Sequence, residues 1–370
     1  VSPCSPSVER SDLSITPFLH GDDARYCETV HKELGFYTLA GAPRSPADML
    51  GELAHAEQLG LGTAFISERF NIKEAGALTG AACAVTSGID IITAATNHTT
   101  RHPVVTASWA STLHLLSGGR FSLGIGRGID AMFKAYGMPL ATTESMESFA
   151  HLMRRLWNGE TVLGHTDITG TYPVLRLDPS FRLDIPLSIT AFGPRTLEAG
   201  GRSFDNVILH TFFTDETTER AVRTVKQAAE AAGRDPASVK VWSCFATIGD
   251  HLPEDLRLKK TVGRLATYLQ AYGDLMVRTN RWDPAVLARF REDDFVRGFG
   301  GALDAKATTE ELEHVAGLIP AEWLAPAATG TPAQCVAAVR NQFALGCDGV
   351  ILHGASPAEL EPIVREYART

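Results

Sequence analysis

No stretch of the chain is rich in lysine and arginine, and acidic side chains outnumber basic ones, 43 against 34, for a formal net charge of −9. A polyanion-binding surface needs the opposite balance, so nucleic acid is a poor candidate partner. Long apolar runs are missing as well: none reaches the roughly 18 residues that a bilayer-spanning helix requires. The segment Val1–Arg10 has no apolar core of a secretory signal. A cytoplasmic protein with no membrane partner is expected. Cysteine is sparse: the six (Cys4, Cys27, Cys83, Cys244, Cys335 and Cys347) include no close pair at metal or redox spacing. Reduced thiols filling apolar space are expected, and no metal centre. No break in composition divides the 370 residues. They read as one unit, which α/β barrels of about 250 to 400 residues can be.

What is present is a repeat of apolar, β-rich runs: Gly35–Ala40, Thr63–Ile66, Ile89–Ala95, Phe121–Gly126, Ile185–Ala191, Val207–Leu209, Val239–Thr247 and Gly349–Leu352. Between them lie helical segments with clear starts. Ser45-Pro46-Ala47-Asp48, Thr331-Pro332-Ala333-Gln334 and Ser356-Pro357-Ala358-Glu359 each combine an N-cap, a proline at the first helical position and a capping-box acceptor. Strands without polar alternation are buried on both faces, as in a parallel sheet, and eight strand–helix units predict closure into a (β/α)8 TIM barrel. The rival is a doubly wound sheet. It wants G-x-G-x-x-G after its first strand, whereas Gly124-Ile125-Gly126-Arg127-Gly128-Ile129 follows the fourth and ends on isoleucine. Two gaps, about 158–184 and 249–330, are too long for simple loops and are expected as insertions over the C-terminal mouth, where barrel enzymes place their chemistry. Residues 1–33 are expected to be an irregular extension, and 34–370 the single barrel domain.

The most telling segment is Arg120-Phe-Ser-Leu-Gly-Ile-Gly-Arg-Gly128. An apolar strand runs into a glycine-rich turn that sets Arg127 beside accessible backbone. Glycine lets backbone approach a ligand, and a guanidinium offers two aligned donors to an anionic oxygen pair, so a phosphate seat is one reading. A tight βα turn with a solvated arginine is the other.

That segment does not stand alone. Thr93-Ala-Ala-Thr-Asn-His-Thr-Thr-Arg-His-Pro103, the run Leu116–Gly128, Tyr136-Gly137, Leu156-Trp-Asn-Gly159, Ile185-Pro-Leu-Ser-Ile-Thr-Ala-Phe-Gly-Pro-Arg195, Asp205-Asn-Val-Ile-Leu209 and Gly346-Cys-Asp-Gly-Val-Ile-Leu352 together resemble the bacterial-luciferase-like family. The resemblance spans about residues 34–370 and is nearest to the coenzyme F420-dependent members. It implies a (β/α)8 barrel that binds either FMN or the deazaflavin coenzyme F420. Position by position, it implies a cis peptide at Ala94-Ala95, with Thr96 next to it, against the flavin ring. It implies a phosphate met by Arg127 and Gly128 and by the helix start Phe192-Gly193-Pro194-Arg195, where free N–H groups and the positive dipole end suit an anion.

The chain departs from the family at Ser67-Glu68-Arg69-Phe70. Glu68 keeps the acidic position that the resemblance places beside a deazaflavin ring. Arg69 stands where relatives hold a catalytic histidine. Arginine stays protonated at neutral pH and cannot shuttle protons, so light emission and sugar-phosphate oxidation are not expected. Arg69 is left to hold a carboxylate or enolate, to polarise a carbonyl, or to pair with Glu68. For proton transfer the candidates are Glu68, His98, Asp130 and His210, with His98 preferred; His102 is assigned to packing or capping, and Phe192, Phe212 and Phe213 either wall a pocket or pack in the core. The expected function is hydride transfer between F420 and a small carbonyl/alcohol pair or activated alkene. An FMN-dependent monooxygenase is the alternative, and a non-catalytic flavin-binding barrel the third reading. A homodimer and a separate cofactor-reducing enzyme as partner are also expected.

Overall fold

A computed structural model describes residues 30–41 and 43–370. Its strands are β1 (His31–Tyr37), β2 (Leu61–Ile66), β3 (Asp90–Thr93), β4 (Phe121–Ile125), β5 (Val162–Asp167), β6 (Gly170–Leu175), β7 (Leu187–Thr190), β8 (Asn206–Ile208), β9 (Lys240–Gly249), β10 (Ala328–Gly330) and β11 (Gly349–His353). In the nine-stranded sheet β10 touches only β9; the other eight run β1-β2-β3-β4-β7-β8-β9-β11 and return to β1, all parallel. The ring closes as a (β/α)8 barrel. Each of the eight apolar runs supplies one of its strands. β1 starts at His31 rather than Gly35, so the end of the expected extension belongs to the barrel; residues 1–29, with Cys4 and Cys27, lie outside the described residues.

Two pairs of small and large residues fill the barrel interior. A Cβ on Gly35 would lie 2.6 Å from the Phe65 ring, and one on Gly349 would lie 2.4 Å from the Trp242 ring. Glycine at those two positions therefore admits the two largest interior rings, which meet edge to face with centroids 5.2 Å apart. With Ile92, Ala94, Ile208, Cys244 and Ile351 they form a dry plug. Everything on the strand C-terminal side of that plug is mouth.

The helix starts behave as their sequences direct, with one shift. Thr331/Gln334 and Ser356/Glu359 form capping boxes. Ser45 does not cap: the helix Asp48–Gln58 begins after Ala47, and the Ser45 hydroxyl instead accepts from the Ala47 N–H at 3.1 Å in the turn before it. No helix among the described residues is long and apolar enough to cross a membrane.

The two insertions occupy different places, and one expectation is corrected. The helix Thr143–Trp157 follows β4 and runs down the barrel wall, so the segment after Trp157 leaves from the end opposite the mouth. β5 and β6 form an antiparallel hairpin there. It climbs back along the wall: Asp167 near its tip binds Ser148, Tyr172 packs edge-on against His102 at 5.0 Å, and the exit returns to the base through Leu183 N–H to Trp157 O at 3.0 Å. The second insertion leaves the C-terminal end of β9 and does cover the mouth. Its helices build a separate apolar cluster that takes in Phe212 and Ala246 from the barrel.

Candidate functional site

At the mouth, the first feature is a ledge. The Ala94-Ala95 peptide is cis. The residues around it fix its position: Glu68 N–H donates to Ala95 O at 3.1 Å and Thr96 N–H to Gly124 O at 3.0 Å. Gly126 must be glycine for the neighbouring strand to fit, because a Cβ there would come within 2.9 Å of the Ala95 Cβ and 2.5 Å of Thr190 Oγ1.

Glu68 was expected to present a carboxylate to a ring; the structure uses it otherwise. Its side chain has 0% exposure and is paired with Arg101 Nη1 at 3.1 Å. It also accepts from the Thr96 hydroxyl and from the Ala75 N–H. Arg101 in turn binds Glu74. The carboxylate is thus consumed in tying the ends of β2 and β3 to the following helix, and its effect on the site is to hold Thr96 and the ledge. The pairing of Arg69 with Glu68, one of the readings left open by the sequence, is overturned: Glu68 takes Arg101, and Arg69 Nη1 donates to Gly41 O at 2.6 Å.

His98 is likewise turned away from the mouth. It is 6% exposed, its Nε2 meets Ser145 Oγ at 3.1 Å, its ring lies 5.2 Å from Phe149, and its Nδ1 is buried without a partner. Burial lowers its pKa to about 4. These contacts belong to the wall helix, so His98 is not placed for proton transfer with a substrate. The physical reason is that the chain after Thr96 turns into a short 3-10 segment, His98–Thr100, which folds the ring outward. His102 caps the next helix, its Nδ1 accepting from Val104 N–H.

His210 is placed in its stead. It stands two residues past β8, partly exposed. Its Nδ1 lies 2.9 Å from Thr211 O, an obligate acceptor, so that nitrogen carries the proton. Nε2 then accepts from the Tyr272 hydroxyl at 2.9 Å. Burial lowers the His210 pKa to about 4 despite the Thr211 contact, and burial, reinforced by Tyr268, raises that of Tyr272 well above the usual phenol value. Both members are neutral near pH 7, with one proton held on the Tyr272 oxygen. Phe192 packs on His210 at 4.4 Å and Tyr268 at 4.9 Å. Phe212 and Phe213, by contrast, are buried core, 1% and 4% exposed.

Arg264, Tyr268 and Tyr272 were not anticipated, although a signal existed. Spaced i, i+4, i+8, they share one face of the helix Arg264–Asn280. That helix breaks at Tyr272 (φ −156°, ψ 36°), the residue whose hydroxyl meets His210. Arg264 is paired with Asp304 at 2.8 Å. His353, at the end of β11, has a buried Nδ1 without a partner and sits edge-on to Tyr37 at 5.4 Å; burial first, then Arg264, holds its pKa well below that of an ordinary histidine.

The expected phosphate residues divide. Gly193 caps the helix Pro194–Ser203 with no side-chain bond to the free N–H groups, and a Cβ on it would meet nothing within 4 Å. Pro194 has no N–H and the Thr196 and Leu197 N–H groups donate to Gly193 O, so space and the Arg195 N–H are what this helix start offers an anion. Arg127 is half-exposed and partly engaged: Nε donates to Ala141 O at 3.2 Å, and Nη2 lies 3.4 Å from Asp130. Asp130 is therefore Arg127's neighbour at a helix start. Gly128 has φ +73°, and a Cβ on it would strike the Phe133 ring at 2.4 Å, so its glycine serves the turn.

Comparison with known proteins agrees with this architecture. The chain is 27% identical over 321 residues to 5,10-methylenetetrahydromethanopterin reductase of Methanolobus tindarius, covering 83% of this chain and 91% of the relative. Among solved structures it resembles the coenzyme F420-dependent tetrahydromethanopterin reductase from Methanopyrus kandleri (TM-score 0.75, 20% identity, 91% of this chain and 98% of that one). It also resembles the oxygenating constituent of 3,6-diketocamphane monooxygenase from Pseudomonas putida, in complex with FMN (TM-score 0.61, 19% identity, 93% and 98%). A family model described as luciferase-like monooxygenase matches residues 32–349, and the chain belongs to that family of oxidoreductases.

Proposed function

We propose that this protein is a coenzyme F420-dependent oxidoreductase that moves a hydride between bound deazaflavin and a small organic substrate, a carbonyl/alcohol pair or an activated alkene. The observation that carries the reading is the sequence similarity to a methylenetetrahydromethanopterin reductase over 321 residues. The likeness to the FMN-bound oxygenase is structural, at 19% identity.

The residues present fit the cofactor. Ala94-Ala95 offers a flat, small-residue ledge fixed from both sides by backbone hydrogen bonds, and the open helix start at Gly193–Arg195, with Arg127 as an added donor, offers a phosphate seat. When bound, the deazaflavin supplies the hydride acceptor or donor. The protein supplies the rest: Tyr272, its hydroxyl held by His210 Nε2, would give its proton to the substrate oxygen as the alcohol forms and, as phenolate, take it back in the reverse direction. The helical insertion over the mouth excludes water from that exchange.

Titration of the purified protein with F420 and with FMN, followed by fluorescence, tests the assignment. Micromolar or tighter F420 binding with weaker FMN binding is expected. Equal or tighter FMN binding overturns the reading and points to the FMN-dependent oxygenase.

A further inference from the structure

Charges around Gly41 do not balance. On one side Arg69 Nη1 donates to Gly41 O at 2.6 Å; on the other, a Cβ built on Gly41 would lie 3.4 Å from Arg264 Nη2. The two guanidinium groups thus flank one residue. Lys73 adds a third cation, its Nζ reaching the carbonyls of Thr38 and Leu39 at 3.3 and 3.1 Å. Only two carboxylates answer them. Glu52 is occupied by the Thr38 hydroxyl and the Leu39 N–H, and Asp304 is shared between Arg264 and the Thr267 hydroxyl. Among the described residues Arg69 forms no ion pair, and Arg264 Nε is buried without a partner.

Uncompensated positive charge in a recess is costly unless a ligand brings the opposite charge. Burial, and then Arg264, already holds the Arg69 pKa below its ordinary value. An aromatic wall stands beside these charges: Tyr268 and Tyr272 stack at 5.5 Å, and Phe192 packs tilted on His210 and edge-on to Tyr272. Arg264 itself lies over the Tyr268 ring.

We propose that the substrate is a flat, apolar carboxylate, its carboxylate bound between Arg69 and Arg264 and its body lying on the aromatic wall. This rests on the reading of the mouth as the substrate site. It gives a use for arginine at position 69: planar, two-point recognition of an oxygen pair, which a histidine could not supply.

The test uses the protein without cofactor, at constant ionic strength, with benzoate and phenylacetate as probes and benzamide and phenylacetamide as neutral counterparts. Calorimetric titration and thermal melting read binding. Both carboxylates should bind and raise the melting temperature, and the amides should not. Arg69→Met should weaken carboxylate binding by about tenfold or more, the scale of a lost charge-assisted contact, while changing F420 affinity by less than about twofold on the same scale. Because removing Arg264 alone strands Asp304, the second variant is Arg264→Met with Asp304→Asn, for which the same loss is expected. Absent carboxylate binding, equal binding of the amides, or carboxylate binding indifferent to Arg69 each overturns the proposal. So does a loss of F420 affinity in Arg69→Met without Arg69-dependent carboxylate binding, since the anion would then be the cofactor's own. Arg69-dependent carboxylate binding in a protein that does not bind F420 upholds this inference and removes the cofactor assignment instead.

Discussion

The hairpin 158–184 and the helical segment 249–330 are both insertions into the same barrel, yet only one is rooted at the mouth. What separates them is the element each one leaves. The hairpin departs from the C-terminal end of a helix, at the base, and returns along the wall; the helical segment departs from the C-terminal end of β9, at the mouth. In a parallel barrel, strand ends and helix ends point to opposite poles. A histidine of the barrel lies near the root of each: His98 against the helix that leads into the hairpin, and His210 beneath the helical segment. Both His98 and His210 have pKa values lowered to about 4 by burial. His98, against the wall helix that carries the hairpin, has one satisfied nitrogen; His210, under the helical insertion, has both engaged, one by the Tyr272 hydroxyl.

The sharpest way to break this comparison is through turnover. His210→Asn and Tyr272→Phe should each lower single-turnover hydride transfer by about 10²-fold or more, the usual share of a general acid, with F420 affinity unchanged. The double variant should be little worse than either single one, because the two act as a unit. His98→Gln should leave the rate within about twofold on the same scale. A slow His98 variant with a fast His210 variant would reverse the roles assigned to the two regions.

Stability should separate them in the other direction. The hairpin buries Val162 and Leu175, 1% and 0% exposed, against the barrel wall. Replacing 162–175 by a short glycine–serine turn should therefore cost about 3 kcal/mol in urea unfolding, at about 1.5–3 kcal/mol for each large apolar side chain less what the shorter loop recovers. F420 affinity and turnover should not change. A fall in either would place the hairpin at the site after all.

The barrel was legible because burial on both faces removes polar alternation, and eight such runs between capped helices leave few other closures. The ledge was legible only through resemblance. The roles of Glu68 and His98 were not, because sequence distance from a strand end does not say which way a side chain turns: Glu68 points into the gap that Arg101 fills, and a 3-10 turn carries His98 outward. The pole of the first insertion could have been read from the sequence, since the amphipathic helix 143–157 ahead of it must consume the height of the barrel. Arg264, Tyr268 and Tyr272 were spaced for one helical face, but their partner His210 lies far away in the chain, and only the fold joins them.

Acid should expose the remaining difference. A buried histidine held neutral binds fewer protons folded than unfolded throughout the window between its folded pKa, about 4 for His98, and the ordinary value of about 6.5. Stability is then full above that ordinary value, falls as the pH drops through the window, and levels off below the folded pKa, with a slope of about 1.4 kcal/mol per pH unit for each such group. His98 is only 6% exposed, so His98→Gln, which keeps a donor for Ser145, should lose about 2 kcal/mol less than the parent between pH 6.5 and 4.5 by these relations. His210 is partly exposed, so His210→Asn should recover less. Urea unfolding at a series of pH values measures both. Equal recovery in the two variants would mean that the wall and the mouth bury their histidines alike.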